Sequence, residues 1–324
     1  MFRLKNLVFI FSFFTTVFCF AQYTDIINSN RPGESMSAFS LGKTVFQTEF
    51  GVSRFQEKHN KLYYTDTGYN GDLALRYGLL FSQLEFIANF NYQTDTYVFG
   101  NSQFDRSGLK RTIFGFKCLV YDPYQKFNKP NLYSFVANHS FHWKNLIPAV
   151  SLYAGANFNF SDNIYAATAA EPLFDPKVML VTQNMFEGAN VFVTNFYYDK
   201  ISSASPVLGY ILTYTKGFND HWSAFIENKG FKSNTYSDGI GTIGLAYLFN
   251  KNFQIDASIS KSIKNTPSQF YGGLGLSWRY DGNYVPDKIK MKKNKKARKD
   301  KKIKQIKTIP GAIAPQAPTD PKTP

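Results

Sequence analysis

Residues 71–93 read GDLALRYGLLFSQLEFIANFNYQ, two runs of alternating side chains joined at Leu80 and Phe81. Leu73, Leu75, Tyr77 and Leu79, then Leu84, Phe86, Ala88, Phe90 and Tyr92, fall on one face; Asp72, Ala74, Arg76, Gly78, Glu85, Asn89 and Asn91 fall on the other. The period is two, not 3.6, and it predicts a hairpin. Centred between Leu80 and Phe81, that hairpin sets Arg76 directly across from Glu85 on the polar face. An apolar outside over a charge-paired inside is the pattern of a transmembrane β-barrel.

The same alternation recurs along the chain. It predicts an all-β fold, an antiparallel transmembrane barrel of about 12 strands over residues 43–280. The strands expected are 43–56, 69–79, 82–94, 108–120, 146–158, 178–186, 189–198, 205–217, 220–231, 237–249, 252–262 and 269–280. Each is long enough to cross the hydrocarbon layer when tilted. Tight connections at Leu80 and Phe81, near Gly188, at Phe218 and Asn219, and at Asn250 and Lys251 alternate with longer ones at 56–68, 94–107, 159–177 and 263–268. Short periplasmic turns and long external loops alternate in this way in outer-membrane barrels, and an even strand number then leaves both termini periplasmic. The connection from Tyr121 to Asn145 breaks the rule, with room for an interfacial helix or a further strand pair.

Composition agrees. Aromatic residues make up 18% of the chain and charged residues only 19%, an excess that aromatic girdles at the two membrane interfaces absorb. The mean hydropathy of −0.29 excludes a bundle of membrane helices. Arg3 and Lys5, an apolar run from Leu7 to Phe20, and Cys19, Phe20 and Ala21 before Gln22 read as a cleaved signal peptide over 1–21. Its removal leaves Cys118 as the only cysteine, which excludes an internal disulfide. Cys118 shares a face with Phe114, Phe116 and Val120, as an inert lipid-facing side chain would.

Residues 22–42 are polar, with turn chemistry at Arg31, Pro32 and Gly33. They are expected to form either a periplasmic lead-in or a short plug in which Arg31 and Glu34 carry the polar contacts. At the other end, residues 281–324 hold thirteen Lys or Arg against four Asp, so +9 of the formal +14 lies in a Lys-rich, Pro-rich tail expected to be disordered and periplasmic. The export signal argues against nucleic acid as its partner. The stretch from Lys288 to Lys307 is either solvated or attached to an anionic periplasmic partner, peptidoglycan or an acidic protein.

Several blocks resemble a known family. Asn30, Arg31 and Pro32, then Gly42, Gln47, Glu49 and Gly51, then Arg76, Tyr77 and Gly78, with Trp222, Phe225 and Glu227 later in the chain, are similar to motifs of the phenol-degradation MetA-like family. Asn30 stands where that family usually has Asp. The resemblance covers roughly 30–280 and implies an outer-membrane transporter of a Gram-negative bacterium. Gly275, Trp278 and Tyr280 also look like the end signal that barrel-assembly machinery recognises.

Alternation nominates Gln47, Glu49, Arg76, Glu85, Asn89, Lys117, Glu227, Asp256 and Arg279 as lumen-lining residues. They form either a salt-bridge lattice filling a narrow barrel or a constriction that selects solutes. No enzyme is expected: His221 and Ser223, two apart on one strand face, lack an orienting third group. His139 and His142 have no clear third ligand, and no metal or cofactor is expected. The reading is a channel for small, hydrophobic or aromatic solutes in contact with outer-membrane lipid. Its alternative is a plugged structural barrel that scaffolds or tethers envelope machinery through its tail.

Overall fold

The structure, a computed structural model, describes residues 26–124, 146–160, 164–165 and 172–284. The signal peptide, the middle of the Tyr121–Asn145 connection with His139 and His142, and the tail beyond Tyr284 lie outside the described residues.

Twelve strands form one closed antiparallel barrel. They are β1 (Phe46–His59), β2 (Tyr64–Gly78), β3 (Leu84–Phe99), β4 (Ser102–Tyr121), β5 (Ala149–Phe158), β6 (Phe174–Phe186), β7 (Asn190–Asp199), β8 (Val207–Gly217), β9 (Trp222–Lys232), β10 (Ser237–Asn250), β11 (Phe253–Ser262) and β12 (Ser268–Tyr280). Each strand pairs with its sequence neighbours. β1 pairs with β12, from Phe46 opposite Tyr280 to Lys58 opposite Ser268, which leaves no free edge. No helix among the described residues is long and apolar enough to cross a membrane.

Alternation explains the wall. Phe50, Leu152, Leu180, Phe196, Ile226, Ile243 and Leu274 all point outward and are exposed, while their neighbours point inward and are covered. A large apolar outer surface is stable only against lipid. Cys118 lies on this exposed outer face. The inside is not uniformly polar: Ile87, Leu119, Tyr153, Met179, Val181, Tyr197 and Ile211 project inward and pack against Met36, Ala38 and Phe39 of the N-terminal segment.

The structure corrects the expected hairpin register. Gly78, not Arg76, faces Glu85, and Arg76 faces Ile87. The turn is residues 79–83, closed by Leu79 N–H donating to the Leu84 carbonyl at 2.9 Å. Inserting residues in pairs preserves the faces, so Arg76 and Glu85 still meet diagonally at 3.0 Å.

The expected long loops at 56–68 and 94–107 are strand instead. β1 and β2 continue to a turn at 60–63, and β3 and β4 to a turn at 100–101. Thr65, Thr67, Thr94, Thr96, Tyr97 and Val98 are good strand formers without an apolar stripe. Beyond the lipid a strand needs no such stripe, so alternation alone stops too early. The expected tight turns all lie at one end, with the start of β1 and the end of β12. His221 and Ser223 do not share a face: His221 precedes β9 and stacks on Tyr247 at the outer rim, ring centroids 5.7 Å apart, whereas Ser223 lines an internal cavity.

Candidate functional site: the lumen and its N-terminal segment

Residues 27–42 run inside the barrel, and their backbone needs partners there, because a buried N–H or C=O without one is costly. The wall supplies them. Ile27 N–H donates to the Lys251 carbonyl at the β10–β11 turn (2.8 Å), which fixes the entry point at the turn end. Ser29 and Ser277 share a hydroxyl hydrogen bond of 2.6 Å. Asn28 C=O accepts from Arg76 (2.8 Å) and Gln47 (3.2 Å), and Asn30 N–H donates to Glu49 (3.3 Å).

Across the lumen, Glu227 accepts from the backbone N–H groups of Glu34 (3.0 Å) and Ser35 (3.2 Å), and from Thr213 (2.7 Å). Asn195 brackets Met36, accepting from its N–H at 2.6 Å and donating to its C=O at 2.9 Å. Gln183 accepts from the Ser37 hydroxyl (2.9 Å) and Ala38 N–H (3.0 Å). Ser151 donates to the Ala38 carbonyl. Lys117 donates to the carbonyls of Ser37 (2.8 Å) and Phe39 (3.0 Å), and Leu41 N–H reaches Glu85 at 3.0 Å. The segment then joins β1, with Thr44 N–H on the Gly78 carbonyl (2.9 Å).

A buried charge lattice underlies these contacts. Arg76 bonds Glu85 at 3.0 Å and Glu49 at 2.9 Å, and Lys117 bonds Glu85 at 3.0 Å. All four are buried. Removed from water, such charges persist only because each has a partner. On the far side, Arg31 meets Asp256 at 3.3 Å. Arg31 Nε and Asp256 Oδ2 are buried without hydrogen-bond partners among the described residues, so this contact leaves a polar atom unsatisfied on each side.

The nominated residues therefore divide. Gln47, Glu49, Arg76, Glu85, Lys117, Glu227 and Asp256 each bond the N-terminal segment. Asn89 is half-buried in the wall opposite Ala74 and Ile113. Arg279 is buried at the turn end, donating twice to Asn252 (3.0 and 2.8 Å) with Asp281 at 3.4 Å. Of the two segment residues nominated, Arg31 meets Asp256, and Glu34 accepts from Lys229 at 2.5 Å.

Sequence reasoning missed Gln183 and Asn195, whose inward parity was available. It also missed a second charged group on the loop side of the segment. There Arg111 meets Asp199 at 2.5 Å and Asn157 at 3.2 Å, and Lys177 meets the same Asp199 oxygen at 3.4 Å. Lys177 and Asp199 each lie one residue outside an expected strand, and a bulge at Asn91 and Tyr92 shifts the parity around Arg111. Lys229, two residues from Glu227, carried a readable signal.

Glu34 is ringed by the wall yet keeps 47% of its side-chain surface open to the lumen. Burial works to raise its pKa, but the Lys229 ammonium, with Arg111 and Lys177 further off, outweighs this and holds the carboxyl below its ordinary value.

Beside the segment lies a cavity of about 210 Å³, between residues 27–37 and the wall from β6 to β11. Its wall side is uncharged, with Gln183, Val193, Thr213, Thr215, Ser223 and Phe225 among its residues.

A search of curated proteins finds no match. Among solved structures, the COG4313 outer-membrane channel from Pseudomonas putida F1 is similar at 12% identity and a TM-score of 0.49, over 78% of this chain and 100% of that one. The NanC porin is similar at 9% identity and a TM-score of 0.46, over 71% and 98%. The translocator domain of the autotransporter NalP from Neisseria meningitidis is similar at 8% identity and a TM-score of 0.45, over 74% and 89%. The family model described as "Putative MetA-pathway of phenol degradation" matches residues 29–280, and the chain belongs to that family.

Proposed function

We propose that this protein is a monomeric outer-membrane channel of a Gram-negative bacterium, admitting small hydrophobic or aromatic solutes by passive diffusion, with residues 27–42 as its plug. The cavity beside the segment carries the reading. Its volume of about 210 Å³ exceeds the roughly 150 Å³ that holds a benzene ring in an apolar protein cavity. The wall side of the cavity holds no ionic group for a passing solute to desolvate, and Arg31 lines the side formed by the segment. The apolar outer band, the export signal and the family support the membrane and the compartment, with both termini periplasmic.

In this reading the lumen residues have two tasks. Gln47, Glu49, Arg76, Glu85 and Lys117 anchor the stretch of the plug nearest β1 to β4 through a rigid buried lattice. Arg31 on Asp256 is the weak latch, because its single 3.3 Å contact leaves polar atoms on both partners unsatisfied. Movement there would widen the cavity without unfolding the wall. No step breaks or forms a covalent bond.

A structural barrel, tethered through Lys288 to Lys307 to peptidoglycan or an acidic periplasmic protein, is the second reading. The number of buried hydrogen bonds holding the segment favours it. Liposome swelling with the full-length protein and with a chain lacking residues 281–324 separates the two. A channel admits small solutes equally in both forms. A tether admits none in either, and loses its attachment to the cell wall with the tail.

A further inference from the structure

On the loop side of the segment, three cations from different strands converge on few carboxylates. Arg111 of β4 and Lys177 of β6 share one Asp199 oxygen, at 2.5 and 3.4 Å. Among the described residues, Lys229 of β9 forms its ion pair with Glu34, at 2.5 Å. Arg111 keeps 42% of its side-chain surface open to the lumen. Lys177 also lies 5.3 Å over the Tyr197 ring.

Other charges stand around this group. Asp72 of β2, bonded to Asn91 at 2.6 Å, and Lys110 of β4, bonded to Gln93 at 2.6 Å, carry opposite signs further round the wall. Glu227 and Asp256 are buried beneath the segment. Glu34 is therefore the acid that meets the cluster from the lumen. If it swings away, Lys229 loses its ion pair while Arg111 and Lys177 still share Asp199, and a cation without compensation in a confined space is costly.

We infer that Arg111, Lys177 and Lys229 form a binding site for the carboxylate of a small organic anion, and that Glu34 occupies this site as an internal competitor that the solute displaces. The inference rests on the channel reading and narrows its solutes to those carrying a carboxylate. An incoming anion restores the charge balance that departure of Glu34 removes, and Arg111 can meet it with two parallel N–H donors. A neutral solute of the same size cannot do so. Displacing the Glu34 side chain removes its ion pair with Lys229 and leaves this stretch of the segment on its backbone bonds to Glu227, so binding loosens the part that leads to Arg31.

The test uses benzoate and benzyl alcohol, matched in size and differing in charge, on the full-length protein in planar bilayers. Benzoate is expected to raise the open probability and benzyl alcohol to leave it unchanged. Glu34→Gln, which keeps the size of the side chain, is expected to start in the more open state and to gain little from benzoate. Arg111→Gln should shift the half-effect concentration upward by about tenfold or more, the worth of one charged hydrogen bond. Equal responses to the two probes, or a full benzoate response in Glu34→Gln, overturn the inference and leave the channel reading standing. Absence of current from folded wild type and from Glu34→Gln alike sinks the channel reading. Calorimetric titration of benzoate into the solubilised protein then decides the site: binding weakened about tenfold in Arg111→Gln supports it, and absent or unchanged binding overturns it.

Discussion

The guanidinium group of Arg31 fills the space in which a Cβ on Gly275 would stand, and it does the same at Gly51, the residue paired with Gly275 across the β1–β12 seam. Two facing glycines thus make a shallow seat at the line where the barrel closes. The segment inside and the seam of the wall fit each other at this point, and neither glycine can change without moving Arg31.

Gly275→Ala should lift Arg31 from its seat and break its 3.3 Å contact with Asp256, while the strand stays paired on both sides. The expected cost is about 1–3 kcal/mol, borne by the segment rather than the wall. Single-channel recording checks this: the variant should show higher or longer openings, with an unchanged heat-modifiable band on gels. Gly272→Ala, with no neighbour closer than 3.5 Å to the added methyl, should behave as wild type.

Glu85→Gln should destabilise the barrel by about 3–5 kcal/mol, because Arg76 and Lys117 both lose a buried partner. The loss appears as a lower temperature for the shift between folded and unfolded mobility. Asn89→Ala, in the same strand and on the same face, should change that temperature little.

Leu180→Arg tests the outer face. Leu180 lies mid-strand in β6, between Leu152 and Phe196, and is exposed. An arginine at the bilayer midplane costs about 2–4 kcal/mol. Folding into vesicles, measured by urea titration, should show a loss of that order.

Acid should weaken the Glu34–Lys229 contact only at low pH. The folded-state pKa of Glu34 is lowered, so its contribution is complete above the ordinary carboxylate value of about 4.3 and is lost as pH falls through the depressed one. The groups facing it, Lys229, Arg111 and Lys177 on the basic side and Glu227 and Asp72 on the acidic side, come from strands on several sides of the lumen. Conductance should stay level from pH 7 to about pH 5 and rise only below the ordinary carboxylate range. In Glu34→Gln this dependence should disappear.

The barrel was legible because a bilayer forces a two-residue period on every strand that crosses it. Leu73 to Leu79 and Leu84 to Tyr92 carry that period plainly, and the twelve strands follow from its recurrence. Where the lipid ends, the signal ends: Thr65, Thr67, Thr94 and Thr96 continue the strands with no apolar stripe to mark them. The hairpin register was misread because the turn holds residues 79–83, and alternation fixes faces but not turn length. Inward parity identifies Gln47, Glu49 and Arg76 as facing the lumen, yet not what they touch. Their partners at Asn28 and Asn30 lie far away in sequence or on irregular chain, where no period exists. The Arg111, Lys177 and Asp199 group depends on a bulge and on two strand ends, the places where a periodic pattern carries least information.

The most direct test of the account is a reversible lock on the segment. Ser29 and Ser277 are joined by a 2.6 Å hydroxyl contact, so cysteines at both positions, with Cys118→Ser to remove the exposed thiol, lie within reach of a disulfide. Single-channel current is recorded under oxidising conditions and again after a reductant is added. If residues 27–42 control a solute path, the oxidised protein stays in its lowest conductance state and reduction brings back the openings of the wild type. Identical openings before and after reduction, with the disulfide confirmed by mass, would contradict the account.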